Sequence, residues 1–104
     1  MKTLAALVLA LAALPAMAQT NTEALAHGRA VAEAWCANCH ATGAAGQRSA
    51  NDAAPTFASI GRRSPDGAAL RTWLAQRHKE TMPNYNLSRD EVADVITYIL
   101  SLRR

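Results

Sequence analysis

Residues 32–46, "AEAWCANCHATGAAG", hold both cysteines of the chain, Cys36 and Cys39, with His40 directly behind them. Two thiols two residues apart beside an imidazole suit three chemistries. They can form a redox disulfide, supply half of a zinc site, or capture a haem covalently. The rest of the chain decides among these, and the decision carries the fold with it.

Upstream, Lys2 is followed by the apolar run "LAALVLALAALPA", and "AMA" at 16–18 places small residues two apart before Gln19. A charged start, a short apolar stretch and an A-x-A site make a secretory signal peptide. The run is short for a membrane span, although an uncleaved anchor helix is the rival reading. Residues 1–18 are therefore expected to be removed, leaving 19–104 as a single domain of 86 residues. Loss of Lys2 lowers the formal charge from +3 to +2, too weak to suggest nucleic acid. A chain of this size buries a modest core and often relies on an additional staple. A disulfide between Cys36 and Cys39 would close almost no loop and restrain little, whereas a large buried cofactor would contribute more.

Downstream and upstream of the motif, three amphipathic helices are predicted. Thr20 and Glu23 make a T-x-x-E capping box, and Leu25, Gly28, Ala32 and Trp35 then recur on one face leading into Cys36. Ser64 before Pro65 reads as an N-cap with proline at the first helical position, followed by Leu70, Trp73 and Leu74. Ser88 and Glu91 make another capping box. Val92, Val95, Ile96, Ile99 and Leu102 form the clearest apolar stripe, ending at Arg103 and Arg104, which suit a helix C-terminus. Residues 41–55 and 78–87 read as loops. No segment alternates with a two-residue period, and most Val and Ile sit in the last helix, so the expected fold is all-α.

Against that background a thioredoxin-like C-x-x-C lacks the strands it needs. A structural zinc site needs four ligands, usually from two knuckles, and after Cys36, Cys39 and His40 there remain His27 and His78, neither in a second knuckle. C-x-x-C-H is the signature of c-type haem attachment. Two thiols add to the two vinyl groups on one haem edge, and the adjacent His40 is carried to the iron. Carriers fill the second axial position with methionine or histidine. Met82, in "TMPNY", is the only methionine in 19–104 and lies off any helix stripe, which favours a ligand over a core filler. His78 is the rival ligand. His27, beside Gly28, reads as a surface residue.

These residues together resemble the class I c-type cytochromes of the small bacterial kind, over essentially all of 19–104. The resemblance rests on "CANCH", on "MPNYNLSRDEVADVITYILSL" (82–102) as methionine loop and terminal helix, and on "APTFASIGRR" (54–63). It departs from the pattern at Phe57, where an aliphatic is common. It implies an all-α domain of about three main helices around one covalent haem c. It also implies a crossing of first and last helices at Gly28, facing Tyr98 and Leu102. Gly28 in a helix interior costs about 1 kcal/mol relative to alanine, so close helix approach is a sensible compensation.

By position in the family, Pro55 should offer its carbonyl to the second nitrogen of His40, fixing the ring. Trp73 and one of Arg62 and Arg63 are candidates for the haem propionates, against core packing and a solvated loop respectively. Asn84 or Asn86 could donate to the Met82 sulfur or simply form turns. The function implied is a soluble periplasmic single-electron carrier, not an enzyme, serving redox protein partners. The alternative is a dedicated haem c subunit docked to a periplasmic dehydrogenase or oxidase. A gas-binding or peroxidatic protein is a third reading, and it needs an open or labile Met82 position. With two propionates the holoprotein charge falls near zero, so strong steering toward partners of one sign is not implied.

Overall fold

The first helix, α1, spans Ala16–Trp35. A computed structural model describes residues 16–43, 48–76, 82 and 85–103, with 16–20 as backbone. Among these residues there are three further helices, α2 (Phe57–Arg63), α3 (Ala68–Ala75) and α4 (Arg89–Ser101), and no strand. The expected all-α fold is found. Most of the signal peptide predicted for 1–18 lies outside the described residues.

Helix α1 begins four residues before Thr20, so Thr20 and Glu23 lie inside the helix and do not cap it. Alanine is the best helix former, and "AMA" at 16–18 extends the winding past the expected cap. At the other end the helix passes into tight turns. The Cys36 and His40 amides donate to the Ala32 and Cys36 carbonyls at 2.8 and 2.9 Å. The cysteine motif is thus rigidly continuous with α1.

Helix α2 is one more helix than the sequence predicts. The Thr56 hydroxyl caps it, accepting from the Ser59 amide at 3.1 Å. Ser64, read from sequence as the start of the next helix, closes α2 instead. Its amide donates to the Gly61 carbonyl at 3.2 Å and its hydroxyl to the Ile60 carbonyl at 2.7 Å. A turn then intervenes, in which Asp66 Oδ1 accepts from the Ala68 amide at 2.8 Å. Helix α3 therefore starts three residues past Pro65, after Gly67. Arg103 ties this corner to the C-terminus by donating to the Ser64 and Pro65 carbonyls at 3.2 and 3.3 Å. It also donates to the Leu100 carbonyl of α4 at 3.3 Å, the helix-end role expected of it.

Helix α4 forms as its sequence predicts. Ser88 Oγ accepts from the Glu91 amide at 3.1 Å, and Glu91 Oε1 accepts from the Ser88 amide at 2.8 Å, satisfying two orphan donors. Its stripe supplies Val95, Ile96 and Ile99 to the core. Val31, Ala32 and Phe57 complete the central cluster, and no polar side chain is buried among the described residues.

Helices α1 and α4 approach closely at Gly28. A Cβ there would overlap the Asp94 carbonyl and stand 3.0 Å from the Tyr98 Cβ. The predicted crossing is present, but Gly28 faces Asp94 and Tyr98. Leu102 packs instead against the central cluster. The crossing sits one turn earlier on α4, at Asp94 and Tyr98, and Leu102 is the helix's C-cap. Gly61 allows α2 the same approach, since a Cβ there would lie 2.6 Å from the Ile99 carbonyl. These two contacts arrange α1, α2 and α4 around a hollow that α3 borders.

A cavity around Cys36, Cys39 and His40

The hollow is a cavity of about 450 Å³, within the usual range for small-molecule and cofactor sites. Every helix contributes to its wall. Helix α1 and its following turn bring Trp35, Cys36, Cys39 and His40; the next loop brings Asn51 and Ala53–Pro55; α2 brings Phe57 and Ile60. Opposite lie Leu70, Trp73 and Leu74 of α3, then Met82, Tyr85 and Leu87, with Val95 and Ile99 of α4 at the floor. The wall is thus apolar apart from a few groups, and those are two thiols, an imidazole and a thioether with Asn51 and Tyr85 beside them.

His40 is held in a defined state. Its Nδ1 lies 2.6 Å from the Pro55 carbonyl. A carbonyl can only accept, so Nδ1 carries a proton, and in the neutral ring the lone pair then lies on Nε2. That is the state of a metal-ligating imidazole. The ring is also packed against Phe57, with centroids 5.4 Å apart and planes at 51°. The expected partnership of His40 with Pro55 is therefore present in the geometry, and Phe57 buttresses the ring, a contact that sequence reading did not anticipate.

The backbone around His40 is fixed by bonds that have no local sequence signal. The Asn51 amide donates to the Cys39 carbonyl at 3.2 Å, and the Phe57 amide to the Ala41 carbonyl at 2.9 Å. The Ala41 amide donates to Ser49 Oγ at 3.0 Å. The 41–55 loop, expected only as a surface connection, is in its described parts a brace for the motif.

Both cysteines are free thiols. Burial pushes the Cys36 thiol up to about 11, so at neutral pH it is protonated and uncharged against the apolar wall. Among the described residues no three His, Cys, Asp or Glu side chains converge as a metal site, and no strand accompanies the cysteine pair.

Other expected site residues divide. Met82 is half-buried and stands on the wall of the same cavity as His40. Trp73 also lines it, with 53% of its surface exposed, so plain core packing does not describe it. Trp35 faces the cavity too, stacked near Tyr85 at a centroid distance of 5.3 Å. Arg62 and Arg63 are exposed and lie outside the described wall, with Arg63 donating to the Ser59 carbonyl at 3.3 Å. Gly61 must face Ile99, which turns the following arginines outward. Asn86 is exposed and off the wall; Asn84 and His78 lie outside the described residues. His27 is exposed as expected, yet it pairs with Asp94 through Nδ1 and Oδ2 at 2.6 Å.

An open apolar cavity with two thiols at its edge and an imidazole locked with Nε2 available fits the donor set of a covalently held haem. A helical domain built around such a site is a c-type cytochrome domain. Comparison with known proteins agrees. Residues 23–99 match the family described as cytochrome c oxidase, cbb3-type, subunit III, and the chain belongs to this family of small c-type cytochromes. It is 43% identical over 94 residues to cytochrome c-552 of Bradyrhizobium diazoefficiens, covering 85% of this chain and 88% of that protein. No solved structure matches. Membership brings a covalently bound haem c and an electron-carrying role.

Proposed function

We propose that the chain is a soluble periplasmic carrier of single electrons. Residues 1–18 act as its cleaved export signal and 19–104 as its working domain. Cys36 and Cys39 would hold haem c through thioether links, and His40 and Met82 would ligate its iron. The observation that carries this reading is the pairing of Nδ1 of His40 with the Pro55 carbonyl at 2.6 Å, in a cavity whose wall also holds Met82. When bound, haem c supplies a one-electron ferric/ferrous couple.

The chain's residues do the rest. Pro55 holds the imidazole tautomer and direction, and Phe57 limits ring tilt. With Met82 on the iron there would be no open site for a substrate, so no bond chemistry is assigned to any residue and the role proposed is a carrier's, not an enzyme's. Val95, Ile99 and Leu74 keep water away. The exposed edges of Trp35 and Trp73 at the cavity leave a route for an electron to a redox protein partner. Among the described residues no helix is long and apolar enough to cross a membrane.

A second reading has support in the comparisons, because the matching family is described as an oxidase subunit. In that reading the same domain is a dedicated haem c subunit docked to a periplasmic oxidase or dehydrogenase. Visible spectra of the oxidised and reduced protein test the ligation. Isolation from its native periplasm tests the assembly, since a carrier elutes alone and a subunit co-purifies with its enzyme in fixed ratio.

A further inference from the structure

Tyr98 makes a contact that none of the roles above uses. Its Cβ lies against Gly28 at the crossing of α1 and α4. Its hydroxyl then reaches beyond the crossing and donates to the Thr42 carbonyl at 2.6 Å. Thr42 is two residues past His40. Besides the turn bonds that tie residues 39 and 40 back to Cys36, the bonds that Asn51, Ser49 and Phe57 make to residues 39–41 all come from one segment, which also presents the Pro55 carbonyl. The bond from Tyr98 comes from α4 instead.

We propose that Tyr98 is a positioning residue for His40, its hydroxyl anchoring Thr42 to α4 and so setting the plane of the imidazole. The proposal rests on the assignment of His40 as an axial ligand. The physical case is one of degrees of freedom. The Pro55 carbonyl fixes the ring at Nδ1, but the ring can still swing about that bond if the backbone carrying it shifts. The turn bonds to Cys36 and the bonds from 49–57 hold residues 39–41, and the Tyr98 hydroxyl adds the anchor from α4 at Thr42. The phenol suits the task. Burial raises its pKa above the ordinary phenol value, which favours the protonated, donating form. Its Cβ is held against Gly28 at the crossing of α1 and α4.

The test is proton NMR of the ferric holoprotein, in which the spread and order of the haem methyl shifts report the orientation of the axial ligands. Tyr98→Phe keeps the ring against Gly28 and removes the hydroxyl. It should change the methyl pattern. His27→Ala, which breaks the pair with Asp94 at the same crossing, should lower the melting temperature and leave the pattern as in wild type. A Tyr98→Phe protein that melts lower but keeps the wild-type pattern would show a merely structural residue and overturn the proposal. The wild type provides an arm that needs no variant. The Tyr98 hydroxyl proton should exchange slowly with solvent and show a nuclear Overhauser contact to Thr42, and a hydroxyl exchanging as fast as that of Tyr85 also overturns the proposal. A wild-type protein lacking the low-spin His/Met spectrum refutes the ligand assignment itself, and this is seen before any variant is compared.

Discussion

Gly28 of α1 meets Asp94 of α4 backbone to backbone, with no room for a side chain between them. The neighbouring groups are a carbonyl and the Tyr98 Cβ, and neither can swing aside as the tip of a long side chain could. Gly28→Ala is therefore expected to destabilise by about 1–3 kcal/mol, the usual range for overpacking. At about 4–8 °C per kcal/mol for a domain this small, thermal melting of the holoprotein reads the effect directly. The sign is decisive. In an open helical site the same change would stabilise by up to about 1 kcal/mol, so a higher melting temperature would place Gly28 at the surface.

Ser88→Ala should remove the cap of α4 and leave the Glu91 amide without its side-chain acceptor. The expected loss is about 0.5–2 kcal/mol, again read by melting. Ser88→Asp, which keeps an acceptor at the N-cap and adds a favourable charge to the helix dipole, should restore most of it.

These two sites show what the sequence makes legible. The Ser88 box and the Val95–Ile96–Ile99 stripe are local patterns, and helix α4 follows them. Cys36, Cys39 and His40 are legible for the same reason, because attachment chemistry demands adjacency along the chain. Helix α2 is not, since seven residues with a glycine inside give no clear period, and its stability comes from Gly61 lying against the Ile99 carbonyl of another helix. Ser64 and Pro65 carry the residue types of a helix start, but Ser64 is engaged in ending α2, and Asp66 forms the turn before α3, whose N-cap is Gly67. The Tyr98 bond to Thr42 spans 56 residues and has no sequence signature. Pro55 was reachable only through resemblance to a family, as its role depends on a backbone atom.

Replacing both Cys36 and Cys39 with alanine should leave no haem on the chain after acid–acetone extraction, while the wild type keeps it. The haem-free chain should also lose its cooperative melt. Without haem the apolar walls of this cavity lie open to water, which is unfavourable for so large an apolar surface. Collapse or loosening of the walls relieves that cost, so near-ultraviolet circular dichroism should weaken as the haem is lost. A sharp melt and intact dichroism in the double variant would mean that α1, α2 and α4 form a self-sufficient core.

The sixth position decides between a carrier and a reactive haem protein. With Met82 on the iron, the ferric protein should show the weak long-wavelength band that thioether ligation gives, and it should resist azide and carbon monoxide. Met82→Ala should abolish the band, admit both ligands and raise peroxidase activity, because peroxide gains access. Met82→His should keep a low-spin spectrum but lower the reduction potential, since a thioether favours ferrous iron more than an imidazole does. Each ~59 mV of that drop is a tenfold change in a one-electron equilibrium, so a fall of several such steps would redirect electron flow between partners. His78→Ala should leave band, spectrum and potential unchanged. The opposite pair of results, with His78→Ala destroying the low-spin signal and Met82→Ala preserving it, would make the centre bis-histidine. Met82 would then be only part of the apolar wall on which it stands.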